Sequence, residues 1–119
     1  MAPWVFTDSW VTVNCYDKNP DRGDVITLHL KGEKSTWIKR VMALEGDIVE
    51  IRQGVAYVNG KESVCEKYVL FSDPKSMKKV KIPKGHVFIV GDHRPYSYDS
   101  RIIGPVPAKY IEGVVVFRF

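Results

Sequence analysis

The sequence predicts a mainly β protein, its antiparallel sheets folded over in a barrel-like arrangement. Three observations predict it. Short runs rich in Val, Ile, Thr and aromatic residues recur along the chain, bounded by Gly, Pro, Asn or Asp. Asn59-Gly60, the strongest dipeptide signal for a two-residue hairpin, follows one such run. No ten-residue stretch holds its apolar side chains at a 3.6-residue spacing. At 119 residues the chain is long enough for one domain, 1–119; two domains would each fall below the size that folds comfortably alone.

The elements follow in order. Val11 and Val13 mark a first strand and Val25 to Leu30 a second, separated by the turn-rich stretch Asp17 to Asp24. Thr36 to Leu44 is a longer strand. Ile48 to Arg52 alternates apolar and polar residues and ends at Gln53-Gly54; Val55 to Val58 leads into Asn59-Gly60. Residues 62–75 read as a long loop. Lys78 to Ile82 is a short strand stopped by Pro83, His86 to Val90 an apolar strand stopped by Gly91-Asp92, and Ile111 to Phe119 the last strand.

Composition excludes several classes. Apolar residues make up 45% and charged residues 27%, unlike a disordered chain. No apolar run approaches the roughly 18 residues of a membrane-spanning helix. Met-Ala-Pro-Trp opens neither a basic nor an apolar leader segment. Cys15 and Cys65 lack CxxC spacing, so they form either one bridge or two buried thiols. His29, His86 and His93 show no ligand spacing, and neither metal nor cofactor is expected. The net charge of +4 is uneven, with five lysines and no acid from Lys75 to Lys84. That stretch reads as a strand edge that discourages aggregation, or as a contact for an anionic membrane surface. Without an arginine-rich face or an aromatic stripe, nucleic acid is not expected as a partner.

Two segments carry chemistry. In the strand around Trp37, alternate residues share a face, which puts Lys39 in line with Trp37, Val41 and Ala43, and Arg40 with Ile38, Met42 and Leu44. Both faces are apolar but for one cation each. Either both cations reach water over buried stems, or burial lowers the Lys39 pKa and makes its amine a general base. In the second case Arg40 stays charged and needs a carboxylate. The other segment, Gly91-Asp-His-Arg-Pro-Tyr-Ser-Tyr-Asp-Ser-Arg101, gathers two carboxylates, two serine hydroxyls and two arginines in eleven residues. It is either a polar turn or a loop that presents a hydroxyl or carboxylate to a neighbouring base.

In this order the two segments resemble the type I signal peptidases. Ile38-Lys39-Arg40-Val41 with Leu44-Glu45-Gly46-Asp47 is similar to the family's lysine segment. Gly91 to Arg101 is similar to its Gly-Asp-Asn-Arg-x-x-Ser-x-Asp-Ser-Arg run, with His93 in place of Asn. Arg22-Gly23-Asp24 and Gly104-Pro-Val-Pro107 also fit. The resemblance implies a β fold shared with signal peptidases and self-cleaving SOS repressors, and a serine endopeptidase with a Ser–Lys dyad. It implies Lys39 as general base, Ser97 as the hydroxyl that orients it, Asp99 and Arg101 as an ion pair beside the site, and Asp92 as the partner of Arg40. Trp37 and Ile38 would line the edge to which substrate adds as a strand. Met1 and Val5 would also contact substrate, and the strand that supplies half of the substrate cleft would lie further upstream.

The family nucleophile lies in Ser-Met-x-Pro-Thr-Leu, and Met1-Ala-Pro-Trp-Val5 is similar to the part after its serine. The resemblance therefore expects that serine immediately before Met1, with a membrane anchor further upstream. These 119 residues alone are expected to be inactive or nearly so. The implied partners are signal peptides of exported preproteins and a membrane surface, on the outer face of a bacterial plasma membrane or at a mitochondrial inner membrane. The alternative is a catalytically dead paralogue of the same fold that binds peptide or membrane.

Overall fold

The computed structural model describes residues 3–6, 9–14, 16, 18–69 and 74–118; over 3–6, 9–12 and 117–118 it describes the backbone. Among these residues the strands are β1 (Pro3–Phe6), β2 (Ser9–Asn14), β3 (Val25–Leu28), β4 (Trp37–Ala43), β5 (Ile48–Arg52), β6 (Val55–Val58), β7 (Lys61–Glu62), β8 (Met77–Lys81), β9 (His86–Val90), β10 (Val106–Pro107) and β11 (Ile111–Arg118). One helical turn, α1 (Ser100–Ile103), follows β9.

Turn chemistry sets the register of the small sheet. Gln53-Gly54 joins β5 to β6, and Asn59-Gly60 joins β6 to β7. In both, the two residues have positive φ, 49° and 84° for the first pair and 53° and 83° for the second. That is what a hairpin turn matched to strand twist demands. The Asn59 amide does more: its Oδ1 accepts from Ile48 N–H and its Nδ2 donates to Asp47.

All the strand pairings are antiparallel. They form a seven-stranded sheet, β1-β2-β11-β3-β4-β9-β10, and a four-stranded sheet, β7-β6-β5-β8. The mainly β, folded-over expectation holds. The two sheets remain separate ladders rather than one closed barrel.

The core has two compartments, one on each face of β4 and β9. Met42, Ala43, Phe88 and Val90 pack against Val49, Ile51, Ala56 and Val58 of the small sheet. Val41, Val87 and Ile89 pack on the other face with Ile26, Leu28, Val106 and Ile111.

The alternation expected along β4 breaks here. Val41 pairs with Ile89 but Ala43 with Phe88, so Met42 is an extra residue and the ladder bulges. Ala43 therefore joins Met42 on the face toward the small sheet, and Leu44 packs with the Val41 compartment. Lys39 keeps company with Trp37 and Val41, not with Ala43.

The stretch 62–75 is not loop throughout. Val64–Tyr68 forms a 3-10 turn, with Ser63 capping Cys65 N–H. Cys65 is buried, its thiol is free, and it donates to Val41 O. No bridge therefore joins it to Cys15, which lies outside the described residues.

Candidate active site

β4 runs through the seven-stranded sheet with β3 on one side. Lys39 stands opposite Ile26, and Arg40 opposite Val25. On its other side, pairing with β9 begins only at Arg40, opposite Val90. Among the described pairings, Trp37, Ile38 and Lys39 have no ladder partner on that side. Their segment is a local edge beside the loop that leaves β9.

That loop brings Ser97 to Lys39. Lys39 Nζ donates to Ser97 Oγ at 3.1 Å, and Ser97 Oγ donates to Asp99 Oδ2 at 2.6 Å. Asp99 is fully buried. It also accepts from Gly91 N–H, from Arg101 N–H and from the Arg101 guanidinium at both oxygens. Arg101 Nη2 reaches on to Arg94 O at 2.8 Å. Asp99 caps α1 through the Arg101 N–H.

Electrostatics separates the two ends of this chain of bonds. Burial works against an ionised Asp99, but hydrogen bonds from Arg101, Ser97 and Gly91 outweigh it and hold its pKa below the ordinary value. Lys39 moves down from the usual lysine range. Burial is the main cause and Arg101 adds to it, while Asp99 pulls the other way.

Gly91 makes the approach possible. A Cβ there would collide with Ser97 Oγ and lie 2.6 Å from Ser97 Cβ. Trp37 closes another side: Lys39 Nζ is 5.7 Å from its ring centroid, and Tyr98 meets that ring edge-on at 5.8 Å.

Arg40 faces the opposite compartment and does not reach out to water. Its side chain is 11% exposed. Asp92 takes it in a two-pronged contact, both bonds 3.0 Å, and Gly23 O accepts from Nη1. The Tyr68 ring lies 3.7 Å from the guanidinium carbon. Burial opposes the charge, yet Asp92 outweighs it and the Arg40 pKa is raised.

The structure thus brings together Lys39, Ser97, Asp99 and Arg101 in one cluster and Arg40 with Asp92 in another. Trp37 and Ile38 lie on the local edge. Val5 lies on β1, where the backbone alone is described, and Met1 is outside the described residues.

Sequence reasoning missed a third group. Arg94, whose side chain is 1% exposed, pairs with Glu66 at 3.1 Å and donates from Nε to Gly91 O. Glu66 also accepts Ala56 N–H. The 3-10 turn Val64–Tyr68 therefore holds both chemical segments, Arg40 through Tyr68 and the loop after β9 through Glu66. Ser63-x-x-Glu66, a pattern that opens helical turns, was the available signal.

Comparison with known proteins identifies the family. The family model described as signal peptidase, peptidase S26, matches residues 1–119. The signal peptidase I of Bacillus caldolyticus is 33% identical, with all of this chain and 74% of that protein aligned. The Arabidopsis thaliana thylakoidal processing peptidase 1 is 43% identical over 70% of this chain and 24% of its own length. A Synechocystis protein named "Probable signal peptidase I-1" is 36% identical over 84% of this chain. The chain spans about half the length of that protein, 55%. The crystal structure of a signal peptidase I from Enterococcus faecalis superposes with a TM-score of 0.68 at 29% identity, covering 81% of this chain and 96% of that one. The chain belongs to the signal peptidase family, peptidase S26.

Proposed function

We propose that this domain carries the general-base half of a serine endopeptidase that removes signal peptides from exported preproteins at a membrane surface. We place it on the outer face of a bacterial plasma membrane. The observation that carries the proposal is the Lys39–Ser97–Asp99 chain of hydrogen bonds. The one Ser97 hydroxyl proton goes to an ionised Asp99, so Ser97 can only accept from Lys39. Ser97 then orients the amine without surrendering a proton to it, and the Lys39 lone pair is left for another hydroxyl. A lowered lysine pKa lets that lone pair take a serine proton near neutral pH.

The nucleophile is a serine whose hydroxyl comes within hydrogen-bond reach of Lys39 Nζ, and loss of that hydroxyl slows turnover at least about 10³-fold. Trp37 to Lys39, unpaired on one side among the described residues, receives the substrate backbone as an added strand.

The test is cleavage of a fluorogenic signal-peptide substrate by the enzyme that carries this domain. Turnover is expected to fall at least about 10²-fold in Lys39→Met, the lower end of what a positioned base contributes. Near-unchanged turnover in Lys39→Met would overturn the assignment.

A further inference from the structure

One side chain beside the base has no part in the chain of hydrogen bonds through Lys39, Ser97 and Asp99. Tyr98 lies between Ser97 and Asp99 in sequence, and the 2.6 Å bond between those two neighbours fixes the backbone on either side of it. Its ring meets the Trp37 indole at 5.8 Å, with the planes turned by 79°. The same indole lies 5.7 Å from Lys39 Nζ. Tyr98 is therefore tied to the base twice, through Ser97 along the chain and through Trp37 across space. It is nevertheless 52% exposed, and it stands against the stretch of β4 that has no ladder partner on one side among the described residues. A rigid ring fixed at an open edge offers contact area at little cost in conformational entropy.

We infer that Tyr98 is a specificity-determining residue, its ring limiting the size of one substrate side chain. The inference rests on the proposed peptidase reading and deepens it. A substrate strand added to the Trp37–Lys39 edge lays alternate side chains on the face that carries Trp37 and Lys39. The one that falls beside Trp37 meets the Tyr98 ring. That ring fills the depth a long side chain needs, so Ala fits there and Leu does not. Substrate side chains on the Ile38 face point away from the aromatic pair.

The test compares wild type, Tyr98→Ala and Tyr98→Phe in the enzyme that carries this domain. The substrates are fluorogenic signal peptides in which each residue around the scissile bond is Ala or Leu in turn. Tyr98→Ala is expected to raise the Leu-to-Ala ratio of kcat/KM about tenfold or more at one position, as the gain of space for a few carbons implies. Tyr98→Phe keeps the ring and should keep the wild-type ratios. Because Tyr98 is half exposed, its truncation spares the core, and equal urea midpoints check this. Ratios in Tyr98→Ala that match wild type at every position, whether or not turnover falls, would overturn the inference. Tyr98 would then only brace Trp37, and the peptidase reading would stand. A wild-type enzyme that cleaves none of these substrates would overturn the reading and the inference together.

Discussion

Lys39 and Ser97 stand 58 positions apart in sequence, and their side chains meet at 3.1 Å. The contact joins the half-buried stretch of β4 to a loop that owes its shape to one buried carboxylate, Asp99. The base is therefore held by two segments with separate supports, which can be disturbed one at a time.

Lys39 should lower stability at neutral pH. Its folded pKa is depressed by burial, so the unfolded chain binds more protons at this site between the depressed value and the ordinary 10.5. The destabilising contribution is full below the folded pKa and is relieved as pH rises toward 10.5. Lys39→Met is expected to unfold later than wild type at pH 7, by about 1 kcal/mol in urea titration, and the difference should shrink at high pH. A less stable Lys39→Met would contradict this account.

Gly91→Ala should act on Ser97 before it acts on the core. The new Cβ occupies the space of the Ser97 side chain and lies 3.6 Å from Lys39 Nζ. Overpacking of this kind costs about 1–3 kcal/mol. Calorimetry should show that loss, and NMR titration of the Lys39 Nζ group should show a changed pKa. A normal Lys39 titration in Gly91→Ala would mean that the loop relaxes without moving the hydroxyl.

Glu66→Gln leaves the Arg94 guanidinium charged and buried with no carboxylate beside it. Removing one partner of a buried pair costs about 3–5 kcal/mol. Gln preserves an acceptor for Ala56 N–H, so the loss belongs to the ion pair. In a double-mutant cycle, Arg94→Met combined with Glu66→Gln should be less destabilised than the sum of the singles.

Acid should release Asp47 late. Burial raises its pKa, but bonds from Arg22, Leu44 N–H and Asn59 prevail and set it at about 2. Its folded value lies below its unfolded one, so the stabilisation is complete above about pH 4 and is lost as pH falls toward 2. The contribution is at most about 2.5 kcal/mol. Asp99 is lowered too and adds loss in the same direction. Asp47→Asn should flatten the pH dependence of urea midpoints between pH 5 and 2; an unchanged slope would remove Asp47 from the acid transition.

Much of the sheet was legible because its causes are local. Val, Ile and Thr runs, and dipeptides that tolerate positive φ, mark β3, β5, β6 and β9 within a residue or two. The bulge at Met42 was not legible, because β9 imposes it from across the ladder. Glu66 with Arg94 and Tyr68 with Arg40 were hidden for a similar reason: each pairing spans 28 positions, and neither partner announces the other. The grouping of Lys39, Ser97, Asp99 and Arg101 was expected from family resemblance; the spacing of the residues alone left a polar turn equally open.

Met42 resets the phase of β4. Upstream of it, odd positions carry the amine and its tryptophan neighbour; downstream, the parity is reversed and the beat belongs to the core. The two halves of the strand therefore answer to different demands, one to chemistry and the other to cohesion. Deleting this single methionine would restore an uninterrupted rhythm, and with it force a choice between a correctly filled interior and a correctly presented amine.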